Sequence, residues 1–258
     1  MARKKAPGKT VQTAAQKALA VIYDDAETGF EDTTGEDYAL PFLKLLQKMS
    51  PEVDPDDGGF VSKAKVGQFY NNATALLSDT VEVVPCHYRR AMVEWKPQDA
   101  GGGFVAQHEV GIEVGLEREG GKFITEDGTE IADTRYFFCL QITEDGPQPV
   151  VVSLSSTQIK KAKSWLTRMQ ALKMTGPDNR RSTMPMFANV WRLGDIPESN
   201  DKGSWRGYKI DLVGPVNDPE LAQAAKDARQ MFTQMAHRVK PPEEGGAAAT
   251  ENEDDIPF

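Results

Sequence analysis

The order of β-rich and helical segments constrains this chain more than any single motif. Val81–Trp95 is a long β-rich run, Val81-Glu82-Val83-Val84 followed by Tyr88 to Trp95. Thr134–Ile142 is a second, with Tyr136, Phe137 and Phe138 together, and Val150–Leu154 a third after the turn Glu144-Asp145-Gly146-Pro147. Ser155-Ser156-Thr157 then reads as a helix N-terminus, and the helix runs to about Met174, with Ile159, Ala162, Leu166 and Met169 on its apolar side. Gly176-Pro177 stops it. Phe187–Arg192 and Ser204–Ile210 read as two paired strands. There is no periodic βαβ unit, which argues against a doubly wound parallel sheet. Strands, one helix and strands again predict a β-rich (α+β) chain, an elaborated OB-type barrel with the helix between its third and fourth strands. Residues 60–212 exceed a bare OB domain, so the insertions are large.

The rest of the chain falls around this block. Residues 1–10 are basic, and residues 11–24 predict a short helix through Val11, Ala14, Ala15, Ala18, Leu19 and Ile22. Residues 24–37 are acidic and polar. Leu40–Leu46 is apolar and ends at Ser50-Pro51, and Asp54–Gly59 is a turn. Phe60–Tyr70 predicts a strand or hairpin entry, Gly101-Gly102-Gly103 a flexible loop, and Val110–Gly121 a short hairpin arm. Asn217-Asp218-Pro219 caps a last helix to about Lys240, which Pro241-Pro242 ends, and residues 245–250 are linker. The expected organisation is a flexible arm over 1–37, an OB-like domain over 38–240 and a disordered acidic tail over 241–258.

The net charge of −9 hides an uneven distribution. Residues 243–258 carry six acids and no base, whereas 158–211 carry 11 bases and 5 acids. Base is thus concentrated in one stretch of the body, as expected of a nucleic-acid binder with an acidic tail. Two cysteines, Cys86 and Cys139, make no disulfide framework. The basic start Met1-Ala2-Arg3-Lys4-Lys5 has no apolar core behind it and does not read as a secretory signal. No apolar run approaches a membrane span, so the cytoplasm is the expected location.

Sequence-tolerant binding of single strands needs cations for phosphates and aromatic faces for bases. Here the two are interleaved: Tyr88-Arg89-Arg90, Trp95-Lys96, Arg135-Tyr136, Lys163-Ser164-Trp165, Trp191-Arg192 and Trp205-Arg206-Gly207-Tyr208-Lys209. Strand alternation puts Arg206 and Tyr208 on one face, and Tyr88 and Arg90 on one face. Lys160, Lys161 and Lys163, with Arg168, make a basic helix followed by Arg180-Arg181, and Lys63 and Lys65 open the β region. The candidate DNA-binding residues are therefore Lys63, Lys65, Tyr88, Arg89, Arg90, Trp95, Arg135, Tyr136, Lys160, Lys161, Lys163, Arg180, Arg181, Arg192, Trp205, Arg206, Tyr208 and Lys209. The competing structural reading is that the aromatics fill a barrel core and the bases form a solvated face.

The sequence closes on Asp254-Asp255-Ile256-Pro257-Phe258. An apolar Ile-Pro-Phe tip behind acids predicts an exposed hook: Phe258 for an apolar pocket, its carboxylate and the two Asp for a basic rim. This tip resembles that of bacterial single-stranded DNA-binding proteins. The resemblance implies recruitment of replication, recombination and repair proteins through these five residues, and competition with DNA for the basic groove. The body resembles the single-stranded DNA-binding proteins of tailed phages in Leu40–Val53, Val83–Tyr88 through Val93-Glu94-Trp95, and Gly101–His108. That implies coating of replication intermediates, with single-stranded DNA and replication proteins as partners, no membrane, and room for a homo-oligomer. The bacterial proteins begin with their OB strand and this chain does not, which argues against their tetramer assembly.

Other chemistries find little support. A phosphate loop would need Gly where Leu116 stands, and Phe123 replaces its Ser/Thr. Asp54–Lys65 offers Lys65 where a calcium loop needs Glu. Cys86, His87, His108 and Cys139 lack zinc spacing. The expectation is a non-catalytic protein without cofactor or metal. An annealing or recombination mediator, and an adaptor that binds proteins through its tail, remain the alternatives.

Overall fold

The structure, a computed structural model, describes residues 40–97, 100–119, 122–176, 178–201, 203–237, 239 and 241, together with 13, 22–23, 28–29 and 31–33. The chain divides into two units, residues 1–39 and 40–258. In the first, the Gly29 N–H donates to the Glu31 carboxylate at 2.8 Å. The second carries every strand and helix named below.

A small antiparallel sheet comes first, β1 (Leu43–Leu45), β2 (Phe69–Asn71) and β3 (Leu77–Ser78). The main sheet comes next with β4 (Val81–Trp95), β5 (Phe104–His108), β6 (Glu117–Glu119), β7 (Lys122–Ile124), β8 (Glu130–Thr143) and β9 (Gly146–Ser155). Helix α1 (Ile159–Ala171) leads into a two-stranded arm, β10 (Lys173–Thr175) and β11 (Arg181–Thr183). Strands β12 (Asn189–Asn200) and β13 (Gly203–Pro215) complete the main sheet, and helix α2 (Pro219–Met235) closes the order. The eight main strands run β13-β12-β4-β8-β7-β6, with β5 on β4 and β9 on β8, and the sheet curls into a half-barrel.

The spine strands are apolar on both faces because both faces are covered. Phe137 and Cys139 of β8 and Val150, Val152 and Leu154 of β9 face the inner core, with Val81 and Val83 of β4. Tyr136, Phe138 and Leu140, with Val84, Cys86, Ala91 and Val93, face the outer core. Pro85 has no N–H for a ladder, and it sits where the β4–β8 pairing shifts between Pro85 and His87.

Helix α1 fills the inner face. Its Trp165 stacks on Phe137 at 4.3 Å and meets Trp191 edge-on at 6.1 Å. Helix α2 covers the outer face through Ala225, Ala228 and Phe232. The Asp218 side chain accepts the Glu220 N–H at 2.9 Å and so caps its N-terminus, with Pro219 in the first turn. At its other end the Arg89 guanidinium donates to the Ala236 carbonyl at 2.5 Å, a cation on the negative end of the helix.

The half-barrel stays open between β9 and β13, and the segment before and along β1 occupies the gap. On one side the Val151 N–H donates to the Pro41 carbonyl at 2.7 Å. On the other, side chains replace a ladder. Gln47 bonds both backbone groups of Arg206, Gln158 Oε1 accepts the Tyr208 N–H at 3.0 Å, and Arg168 Nη1 donates to the Ile210 carbonyl at 2.5 Å.

Three local expectations change. The helix ends at Ala171, not Met174, and the chain passes directly into the β10–β11 arm, since Met184 N–H returns to the Leu172 carbonyl. Residues 60–68 are turns rather than strand, because only Phe69–Asn71 has a ladder partner. Residues 110–115 are turns, and the hairpin is confined to β6 and β7.

Candidate nucleic-acid interface

A cleft of about 710 Å³ runs along the open seam. Gln47 and Gln158 line it with Trp205 and Arg206 of β13 and with Trp95 and Lys96 at the end of β4. Ser153, Ser155, Ser156 and Thr157 line it with hydroxyls, and Ser156 holds a left-handed φ of 50°. Such a conformation in a residue with a side chain persists only where its surroundings impose it. Pro241, beyond α2, is buried at the same cleft.

The aromatic face of this cleft is fixed by a polar relay. Trp205 is half-buried, and its indole N–H donates to Glu198 Oε2 at 3.0 Å. The same carboxylate accepts from Gln158 Nε2 at 3.0 Å and pairs with Lys161 at 2.8 Å. Burial raises the Glu198 pKa, but the hydrogen bonds from Lys161, Gln158 and Trp205 outweigh it and hold the carboxyl below its ordinary range. Glu198 reaches these partners across Gly207, where a Cβ would collide with its carboxylate. Trp95, also half-buried, packs edge-on against Phe104 at 6.0 Å.

A smaller groove of about 160 Å³ lies between α1 and β13. Lys161, Arg168 and Lys209 line it around Tyr208 and Asp211. Arg168 lies 4.9 Å over the Trp191 ring, which fixes its guanidinium at the groove. Beyond it, residues 160–183 carry seven bases and one acid.

The sequence candidates separate by partner. Lys63, Lys65, Lys160, Lys163 and Arg181 have no ion-pair partner among the described residues and are exposed. Arg192 pairs with Glu82, Arg206 with Asp195, Lys209 with Asp211 and exposed Arg180 with Asp178. Exposed pairs such as Arg192–Glu82, Lys209–Asp211 and Arg180–Asp178 contribute about 0–1 kcal/mol and yield readily to a phosphate, whereas Arg206–Asp195 is partly buried. The structure brings Trp95, Trp205 and Arg206 to the seam cleft and Lys161 and Lys209 to the groove. The arm carries Arg181, with Arg180 in its turn.

Six candidates are tied into the fold instead. Tyr136 is fully buried between Phe42 and Phe138, and Tyr208 is 6% exposed against Phe69, so neither ring offers a stacking face. Arg89, its side chain 10% exposed, anchors α2 and the Glu109 carboxylate. Arg135 is buried beside Asp133 and donates to the Tyr88 hydroxyl at 2.9 Å. Arg90 shares Asp133, and Tyr88 packs its ring on Phe137. Burial raises the Asp133 pKa, while hydrogen bonds from Arg90 and Arg135 outweigh it and keep Asp133 ionised. Trp165 and Trp191 are core as well, although each has a base nearby in sequence.

Sequence reasoning missed Gln47, Gln158 and the serine row. Gln47 carries no local signal, and Ser155-Ser156-Thr157 reads only as a helix start. Cys86 and Cys139 are buried free thiols, and burial pushes Cys86 up to about 12. Among the described residues no three acidic, His or Cys side chains group as a metal site, and no helix is long and apolar enough to cross a membrane. The tip residues Asp254, Asp255, Ile256, Pro257 and Phe258, and the helix expected over 11–24 apart from residues 13 and 22–23, lie outside the described residues.

Comparison with known proteins finds one family. A family model described as Pam3 phage gp34-like protein matches residues 10–238. No curated protein and no solved structure matches the chain.

Proposed function

The chain belongs to the Pam3 phage gp34-like protein family, and from that premise we propose that it is a non-catalytic single-stranded DNA-binding protein of phage replication and recombination. In this reading the curled sheet with α1 on its inner face is an elaborated OB-type barrel. Bases enter the seam cleft against Trp95 and Trp205. Phosphates track along the exposed cations Lys160, Lys163 and Arg181, with Lys161, Lys209 and Arg206 exchanging their carboxylate partners for the strand.

The carrying observation is the division of chemistry between adjacent surfaces. The cleft offers two half-buried indoles and a row of hydroxyls, and three of the four cations that line it, Lys44, Lys122 and Arg206, are ion-paired, while exposed Lys96 has no carboxylate partner among the described residues. The neighbouring helix and arm hold cations without carboxylate partners. A single strand has the same two parts, uncharged bases and charged phosphates. The Asp254–Phe258 tip would then recruit partner proteins, as its sequence implies.

One observation favours a second reading, a protein-only adaptor acting through that tip: most candidate cations already hold a carboxylate. Fluorescence anisotropy with an oligo-dT strand at two salt concentrations separates the two. Salt-sensitive binding by the full chain, tightening when it is shortened to end at Thr250, supports the DNA reading. No binding by either form supports the adaptor.

A further inference from the structure

The β10–β11 arm stands clear of the core. Lys173–Thr175 and Arg181–Thr183 are exposed throughout, as are the turn residues Asp178, Asn179 and Arg180. Burial therefore does not hold the arm together, and backbone bonds at both ends do. At its base the Met184 N–H donates to the Leu172 carbonyl at 3.0 Å, and at its tip the Gly176 N–H donates to the Arg180 carbonyl at 2.9 Å. Asn179, with a left-handed φ of 62°, closes the tip by donating its N–H to the Gly176 carbonyl at 3.0 Å.

The two faces of the arm differ. The register Lys173↔Thr183 and Thr175↔Arg181 puts these four side chains on one face, and Met174 and Ser182 on the other. The first face holds two cations, two hydroxyls and no acid. Lys173 bonds the Thr183 hydroxyl at 2.7 Å and the Gln170 carbonyl at 3.1 Å, both uncharged, and neither Lys173 nor Arg181 has a carboxylate partner among the described residues. At the tip Arg180 pairs with Asp178 at 3.5 Å, an exposed pair that a phosphate or a base edge displaces readily.

Shape and composition identify what fits. Binding of unstacked bases needs aromatic faces, and no Phe, Trp or Tyr lies between Trp165 and Phe187. A projecting cationic ribbon suits a concave anionic surface instead. The major groove of a DNA duplex is one, about 12 Å wide and about 8.5 Å deep, and it admits a two-stranded ribbon. Three residues per strand reach about 10 Å before the turn, enough to span that depth. We propose that the arm enters the major groove of a duplex, so that the ligand of this protein is a single strand adjoining a duplex. Lys173 at the base of the arm takes a phosphate on the rim of the groove, and Arg180 at its tip reaches base edges, where a guanidinium bonds the acceptors of guanine. Arg181 is where the phosphate track along α1 passes to the duplex. The inference deepens the single-strand reading and rests on it for the strand.

Fluorescence anisotropy of the full chain on three labelled probes tests this: oligo-dT, the same oligo-dT joined to a hairpin duplex, and the hairpin duplex alone. The variant is Lys173→Ala with Thr175→Ala, both at exposed positions, with folding checked by circular dichroism. The parent should bind the tailed hairpin about tenfold more tightly than oligo-dT, the size of one good base contact. Its salt slope should be steeper by about 0.9, the contribution of one added duplex phosphate. The variant should lose most of that gain and keep the parent's affinity for oligo-dT. Equal affinity of the parent for oligo-dT and the tailed hairpin overturns the proposal and leaves the single-strand reading standing. A gain that survives in the variant also overturns it, because the duplex is then held elsewhere. Tight binding of both hairpins with none of oligo-dT overturns the single-strand reading and the adjoining-strand proposal with it, and so does no binding of any probe.

Discussion

The Gln47 side chain forms a two-bonded bridge to the backbone of Arg206: its Oε1 accepts the N–H at 2.9 Å and its Nε2 donates to the carbonyl at 3.0 Å. One carboxamide thus does for β13 what a neighbouring strand would do, at the point where the half-barrel is open. Loss of both bonds in Gln47→Ala should cost about 1–3 kcal/mol, since two partly buried backbone groups lose their partner. Urea unfolding checks it: the midpoint should fall with little change in slope.

Gly207 sets a second condition on the seam. Any Cβ there collides with the Glu198 carboxylate that holds Trp205, Gln158 and Lys161. Gly207→Ala should destabilise the chain by about 1–3 kcal/mol through overpacking. It should also change the tryptophan emission spectrum, because Trp205 loses its fixed hydrogen bond. An unchanged spectrum and midpoint would mean that Glu198 has another route.

Much of the fold is legible in the sequence, for identifiable reasons. β4 spans Val81–Trp95 as its β-branched run suggests, and the run Tyr136-Phe137-Phe138 marks a strand covered on both faces. Asp218-Pro219 signals the start of α2 by local capping chemistry alone. The β10–β11 arm was not legible, because Lys173-Met174-Thr175 continues a helical pattern and only a returning strand ends it. The site was legible in part. Aromatic and basic residues alternate in sequence whether a ring is core, like Tyr136, or half-exposed, like Trp205. Burial decides between them, and burial depends on which helix covers which face. Gln47 could not be found, since its partner Arg206 is distant in the chain.

Arg89 and Lys163 separate structure from binding. Arg89 ties α2 to the sheet, so Arg89→Ala should cost about 1–3 kcal/mol of stability. It should leave the salt dependence of DNA binding unchanged. Lys163→Ala, on the exposed face of α1, should do the reverse.

His87 gives a pH dependence. Burial lowers its pKa below the ordinary 6.5, helped by the positive charges of Arg229, His237 and Arg89. The folded state therefore binds this proton less readily than the unfolded chain. Its contribution to stability is full above pH 6.5 and is lost as pH falls through the lower folded value. Thermal melts stepped down from neutral pH should show a falling midpoint, and His87→Gln should flatten that fall. A midpoint that rises on acidification in this window would contradict the assignment.

The central claim is that α1 and the β10–β11 arm carry the phosphate contacts of a single strand. The most direct measurement is the salt dependence of oligo-dT binding by the full chain and by a Lys160→Ala, Lys163→Ala, Arg181→Ala variant. Each neutralised phosphate contributes a slope of about −0.7 in log K against log salt, so the variant slope should be shallower by about two. Equal slopes and equal affinities in the two chains would contradict the account, and no binding by the parent would remove it altogether.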